Sequence, residues 1–143
     1  MRFTVTKRWI FLLLSLAMLL SLSACRTEEK QSTEKGGTDP VSYQQITPQE
    51  AKAMMDSQVE YILIDARTES EFAQGHIPGA ILIPEYEIAR RAEKELPHKD
   101  ALILVYCRSG RRSKIASEEL SKLGYTNVKE FGGIIDWPYE ITE

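Results

Sequence analysis

The sequence predicts an α/β domain built on a mostly parallel sheet with helices on both faces. Three observations lead there. Short continuous apolar runs, the kind buried on both sides, alternate with segments of helical periodicity. Helix-start residues stand directly before two of those segments, and Pro or Gly closes others. The stretch carrying the pattern, residues 43–143, is long enough for one core of this type.

Each element follows from its own residues. Thr47-Pro48-Gln49-Glu50 is a capping box with Pro at the first helical position. Ala51, Met54 and Met55 then recur on one helix face. Tyr61-Ile62-Leu63-Ile64 is an apolar run that ends at Asp65 and reads as a buried strand. Thr68-Glu69-Ser70-Glu71 is a second capping box, opening a short helix to about Gln74. Ala80-Ile81-Leu82-Ile83 reads as another buried strand, stopped by Pro84. Ile88, Ala89, Ala92 and Leu96 line a helix that ends before Pro97. Leu102 to Tyr106 is the most apolar run and is expected at the centre of the sheet. Ile115, Ala116, Leu120 and Leu123 mark a helix closed by Gly124, and Val128 to Phe131 forms a last short strand.

Composition narrows the class. The chain has 143 residues, 27% charged and 43% hydrophobic, as in a soluble globular protein with room for one domain. That excludes a collagen, a disordered acidic tail, a polytopic membrane protein and a long repeat array. Two cysteines and two histidines argue against a disulfide miniprotein, a Cys-based zinc site and a His-rich metal centre. Beyond the leader discussed next, 15 basic residues face 21 acidic ones. An acidic protein is a poor partner for nucleic acid, whose phosphates demand a basic footprint.

Residues 1–24 read as an address. Arg2, Lys7 and Arg8 precede an apolar run from Trp9 to Leu22, shorter than the ~20 residues a helix needs to cross a bilayer. An uncleaved anchor is the alternative. Leu22-Ser23-Ala24-Cys25 resembles the bacterial lipobox, which implies diacylglycerol on the Cys25 thiol and cleavage before it. A cut after Ser23 is the fallback. Residues 25–42, without large apolar side chains beyond the lipidated cysteine, read as a tether. The expected location is therefore a bacterial cell membrane, lipid-anchored, on its extracytoplasmic face, with the domain monomeric. Lipidation of Cys25 would leave Cys107 as the free thiol, and a lone thiol in an exported protein suggests a chemical use.

Ligands of open α/β sheets bind beyond the carboxyl ends of strands. Two places qualify: Asp65-Ala66-Arg67 after one strand and Cys107 after another. Cys107-Arg108-Ser109-Gly110-Arg111-Arg112, with Ser113 opening the next helix, is a strand–loop–helix turn of the kind that forms an anion-binding nest. The helix N-terminus adds roughly half a positive charge. Nest, helix and arginines all favour thiolate over thiol. The bland reading is a buried structural cysteine beside a solvated arginine patch. Three arginines and a glycine within five residues of an otherwise acidic protein weigh against it. One segment thus offers a nucleophile, Cys107, with Arg108, Ser109, Gly110, Arg111 and Arg112 to hold an anionic substrate.

Here the sequence resembles the rhodanese family of single-domain sulfurtransferases, over about Tyr43 to Tyr139. The resemblance is carried by Ile64-Asp65-Ala66-Arg67, Glu71-Phe72, Gly75-His76-Ile77-Pro78-Gly79-Ala80, the Cys107 loop, Leu123-Gly124-Tyr125 and Gly132-Gly133-Ile134-Ile135-Asp136-Trp137, in that order and spacing. It implies a parallel sheet of about five strands. It also implies that Cys107 accepts a sulfane sulfur as a persulfide from a small anionic donor such as thiosulfate and passes it to a thiol or cyanide, chemistry that needs no metal or organic cofactor. By the same resemblance Asp65 and Arg67 lie near the loop. Arg67 is expected to pair with Glu71 or another acid, and Asp65 to support the loop by accepting its hydrogen bonds, with Ser113 at its helical end. His76 reads as a satisfied turn residue, His98 as exposed, Gly132-Gly133 as a backbone turn and Trp137 as packed on the core.

Two rivals remain. Cysteine phosphatases and arsenate reductases also cradle a tetrahedral anion, but Cys-x5-Arg would put Arg at position 113, where Ser stands. The six-residue loop resembles that of the sulfurtransferases, and the related phosphatases have one residue more. The other rival is a non-enzymatic docking or sulfur-carrier module, which turnover with small donors would separate from an enzyme.

Overall fold

The computed structural model describes residues 43–143. The leader, Cys25 and the tether expected over 25–42 lie outside the described residues. Five strands, β1 (Tyr43–Gln45), β2 (Tyr61–Asp65), β3 (Ile81–Leu82), β4 (Leu102–Cys107) and β5 (Val128–Gly133), form one sheet in the order β1-β5-β4-β2-β3. Every pairing is parallel, and β4 is central as its apolarity predicts. The helices are α1 (Pro48–Asp56), α2 (Glu69–Ala73), α3 (Ile88–Glu95) and α4 (Arg111–Lys122).

Two cores, one on each face, hold the layers. Ile88, Ala92 and Leu96 of α3 and Ala116 and Leu120 of α4 pack with Ile64, Ile103 and Val105 on one side. Ala51 of α1 packs with Leu63, Leu104, Tyr106, Phe131 and Trp137 on the other. Neighbouring residues of β2 and β4 thus point to opposite cores, which is why both strands read as unbroken apolar runs. Both capping boxes form: Glu50 and Glu71 reach back to the backbone N–H of Thr47 and Thr68 at 2.7 and 3.1 Å.

The structure corrects the sequence reading at four points. β1 was not expected from its own residues: Tyr43-Gln44-Gln45 has no apolar run and is a strand because β5 offers a free edge. The strand expected over Ala80–Ile83 is only Ile81–Leu82, an edge pair in which Ile81 is exposed. Its Ile83 and Pro84 are buried after the strand has ended. Ala89 and Ile115 face solvent. In α4 the buried stripe is Ser113, Ala116, Ser117 and Leu120, so two small hydroxyl residues take places where large apolar ones are expected.

Candidate active site

Beyond the carboxyl edge of β4, the Cys107 loop turns back on its own sulfur. Gly110 has φ of +95°, a left-handed conformation that disfavours a side chain, and it caps α4. That turn points the Gly110 N–H at Cys107 Sγ, 3.1 Å away. Ser113, on the first turn of α4, sets its hydroxyl 3.4 Å from the same sulfur. Cys107 is buried, which by itself disfavours its anion. The Ser113 hydroxyl and the backbone N–H groups of Ser113, Ser109 and Gly110 outweigh that burial and lower the thiol's pKa below its ordinary value. The sulfur therefore sits in an anion nest at the positive end of a twelve-residue helix.

The loop has no room to relax on its far side. A Cβ on Gly133 would lie 2.1 Å from the Arg108 carbonyl oxygen, so only glycine lets β5 approach this closely. The Ile135 N–H donates to the same carbonyl at 3.3 Å. The Gly132-Gly133 turn thus serves the cysteine loop through backbone contact.

The three arginines divide. Arg108 and Arg111 are exposed and form no ion pair among the described residues. Arg112 makes a two-pronged pair with Glu71 on α2, both bonds 2.7 Å. That pair, helped by Thr68 and opposed by partial burial, holds the Glu71 carboxyl at about 2. Arg108 also borders a cleft of about 340 Å³ with Arg67, Glu71, Gln74, Gly75, Ile134, Ile135 and Ile141. A larger cavity, of about 820 Å³, lies among Val59–Ile62, His98 and Asp100–Leu102, at the amino ends of β2 and β4. The nest and the cysteine lie at the other end of the sheet.

The Asp65–Arg67 turn sits beside the cysteine loop but is not hydrogen-bonded to it. Asp65 accepts from the backbone N–H and Nε of Arg67 through one oxygen and from Nη2, at 2.7 Å, through the other. Arg67 pairs with Asp65 rather than Glu71 and donates onward to the Gly75 carbonyl at 2.7 Å. His76 is held by the Phe72 carbonyl, stacks on the Phe72 ring at 3.7 Å, and is bridged through its backbone to Thr142. His98 is exposed, and Trp137 is buried in the second core.

Loop support comes instead from a residue the sequence reading passed over. Glu130 of β5 is 3% exposed and accepts the Ser113 hydroxyl at 2.6 Å and the Gly132 N–H at 2.8 Å. A signal for it exists: a charged residue in a strand covered on both faces has no solvent to face, and this one lies two residues before the Gly-Gly turn. Among the described residues no group of three or more His, Cys, Asp or Glu is placed to hold a metal ion.

Comparison with known proteins agrees with this arrangement. Residues 47–138 match the family model described as a rhodanese-like domain. The chain is 42% identical over 73 residues to the thiosulfate sulfurtransferase PspE of Escherichia coli, covering 51% of this chain and 70% of that one. It is 44% identical over 79 residues to a sulfurtransferase of Allochromatium vinosum, covering 54% and 72%. Among solved structures, a rhodanese with anions from E. coli superposes with a TM-score of 0.56 at 37% identity, covering 59% of this chain and 99% of that one. A parallel five-stranded sheet, a cysteine nested at the end of its central strand and these sulfurtransferase relatives lead to one conclusion: the chain belongs to the rhodanese-like domain family.

Proposed function

We propose that the protein is a lipid-anchored, extracytoplasmic sulfurtransferase that moves sulfane sulfur from thiosulfate or a persulfide to a thiophilic acceptor through a Cys107 persulfide. The observation that carries this reading is the Gly110 N–H pointing at Cys107 Sγ from 3.1 Å, within a loop whose Arg108 and Arg111 stand free for an anion. The thiolate attacks the outer sulfur of thiosulfate. A Cys107–sulfur bond forms, the sulfur–sulfonate bond breaks, and sulfite leaves with the bonding pair. The new outer sulfur inherits the negative charge, which the nest amides are placed to hold. An acceptor thiolate or cyanide then attacks that sulfur and releases the Cys107 thiolate, so the cycle closes without a redox partner.

Intact mass of the full chain after incubation with thiosulfate tests the transfer. One added sulfur atom is expected, removed by cyanide as thiocyanate. A chain that gains no sulfur from thiosulfate or polysulfide sinks the proposal. Hydrolysis of a phosphoester through Cys107 would establish the phosphatase rival, and a sulfur held without turnover would establish a carrier. The anchor rests on Leu22-Ser23-Ala24-Cys25. Fatty-acid labelling and membrane-fraction location should both disappear in Cys25→Ala, and a mature N-terminus elsewhere than Cys25 would refute it.

A further inference from the structure

The donor half of the proposed cycle leaves one surface beside Cys107 without a task. Thiosulfate is a small dianion and gains nothing from apolar side chains. Yet the cleft that runs up to Arg108, the residue after the cysteine, is lined in part by Ile135 and Ile141, 63% and 52% exposed. Both are held by their backbones. Ile135 donates its N–H to the Arg108 carbonyl at 3.3 Å. Ile141 precedes Thr142, which exchanges two 2.8 Å bonds with the backbone of His76. Exposed isoleucines scattered singly need no explanation, but two fixed on one cleft beside a nucleophile do.

The charge on this cleft is as selective as its apolar part. Arg67 is closed on Asp65, and Glu71 on Arg112. That leaves Arg108 with no acid partner among the described residues, and Arg111, exposed in the same loop, has none either. Beyond residue 24 the chain has 15 basic residues against 21 acidic ones, so this cationic rim belongs to an otherwise acidic protein. A partner bearing carboxylates is drawn here and repelled elsewhere. Depth narrows the partner further. Cys107 is 1% exposed, so an acceptor thiol must reach inward to meet a sulfur carried on it. A narrow, projecting segment does that, and a flat protein face does not.

We infer that this cleft docks the sulfur acceptor, and that the acceptor is a cysteine on a projecting segment of a partner protein, flanked by apolar and acidic side chains. The inference rests on the proposed sulfur transfer. Apolar side chains of the segment cover Ile135 and Ile141, and its carboxylates meet Arg108 and Arg111 once sulfite has left. The segment's cysteine attacks the outer sulfur carried on Cys107. A bond forms between the acceptor's sulfur and that outer sulfur, the bond to Cys107 breaks, and its electron pair returns to Cys107 as thiolate. The acceptor's thiol proton ends on the transferred sulfur, so the partner leaves as a persulfide and no outside oxidant or reductant is needed. Donor and acceptor use the same arginines in turn, and the isoleucines serve the acceptor alone.

Sulfur collection from the thiosulfate-loaded full chain tests this, with rates compared per thiolate. The probe is the acetylated peptide amide Glu-Leu-Cys-Leu-Glu. Its controls carry Gly for Leu or Lys for Glu, and N-acetylcysteine amide is the small thiol. The probe should collect sulfur about 20-fold faster than the small thiol, and Ile135→Ser and Ile141→Ser should each slow it about fivefold. Thiosulfate loading and cyanide unloading, which involve only small anions, should not change in either variant. Equal rates for probe and small thiol, or for the Glu and Lys peptides, overturn the inference. So do isoleucine variants that slow loading as much as collection. The same probe with Ser for Cys, which binds without reacting, keeps docking apart from sulfur transfer. It should shift the methyl NMR signals of Ile135 and Ile141. Sulfur uptake without those shifts refutes the docking alone, and the shifts without uptake refute sulfur transfer alone. Shifts produced only by phosphatidylglycerol vesicles, or only by concentrating the chain, give the face to lipid or to a second copy and also overturn it.

Discussion

Two turns stand beside each other at the carboxyl edge of the sheet, and they use their charges in opposite ways. After β2, Asp65 and Arg67 are both buried and closed on each other, with the guanidinium also tied to the Gly75 carbonyl. After β4 the thiol is buried, while Arg108 and Arg111 are exposed and have no acid partners among the described residues. Both turns follow interior parallel strands of the same sheet, so the difference lies in the pairing. A turn whose cation is matched internally fixes shape. A turn whose cations are left unmatched has charge to offer an anion. Arg112 stands between the two, because it begins in the cysteine loop's helix and ends on Glu71, on the helix that follows the other turn.

The comparison is open to direct attack, beginning with its reactive member. Cys107→Ser should abolish sulfur uptake in the mass assay, since a hydroxyl cannot accept sulfane sulfur; any residual uptake would place the nucleophile elsewhere. Asp65→Ala should act on stability rather than on donor use. It strands the Arg67 guanidinium in a buried site, which costs about 3–5 kcal/mol by denaturant titration, while turnover of the folded fraction changes little. A selective loss of thiosulfate use without loss of stability would erase the distinction between the turns.

Arg108→Ala and Arg111→Ala should do the reverse. If they hold the donor as proposed, each substitution removes a charge-assisted contact worth on the order of 1.5–3 kcal/mol, roughly 10- to 150-fold in kcat/KM for thiosulfate, with stability unchanged. A neutral sulfur donor should lose less, and equal losses would mean that these arginines shape the loop. The smallest effect belongs to Arg112, whose partly exposed pair with Glu71 contributes about 1 kcal/mol at most. The Glu71 pKa is depressed to about 2, so the pair's contribution is present above the usual carboxylate value of 4.5 and fades as pH falls from there toward 2. Glu71→Gln should flatten that limb of the stability profile; an unaltered limb would assign it to another acid.

How far the sequence revealed this site follows from what each residue answers to. Thr47 and Thr68 act locally, within four residues, so their helix starts were legible. The β4 run from Leu102 to Tyr106 was legible as central because a strand covered on both faces has no polar side to show. β1 was not, since three residues bearing two glutamines become a strand only through β5. The Cys107 loop could be read because nucleophile, glycine and helix start are contiguous. Of its support Ser113 was legible and Glu130 was not, because the two meet across 17 positions of sequence. Arg67 paired with Asp65 rather than Glu71 because a buried carboxylate two residues away lies beside it, whereas Glu71 is turned toward Arg112.

The depth of Cys107 has a further effect on traffic at the site. With 1% of the residue exposed, the unloaded thiol offers almost no surface to a bulky reagent, and two such chains cannot bring their sulfurs to the ~2 Å of a disulfide bond without opening the loop. Adding one sulfur lengthens the side chain by that same ~2 Å. On the proposed route that outer atom, not the cysteine's own, would be the one an acceptor reaches. Cargo and gate would then be the same atom: the empty site is sheltered from disulfide cross-linking, and only a sulfur-loaded Cys107 would display a sulfur for collection.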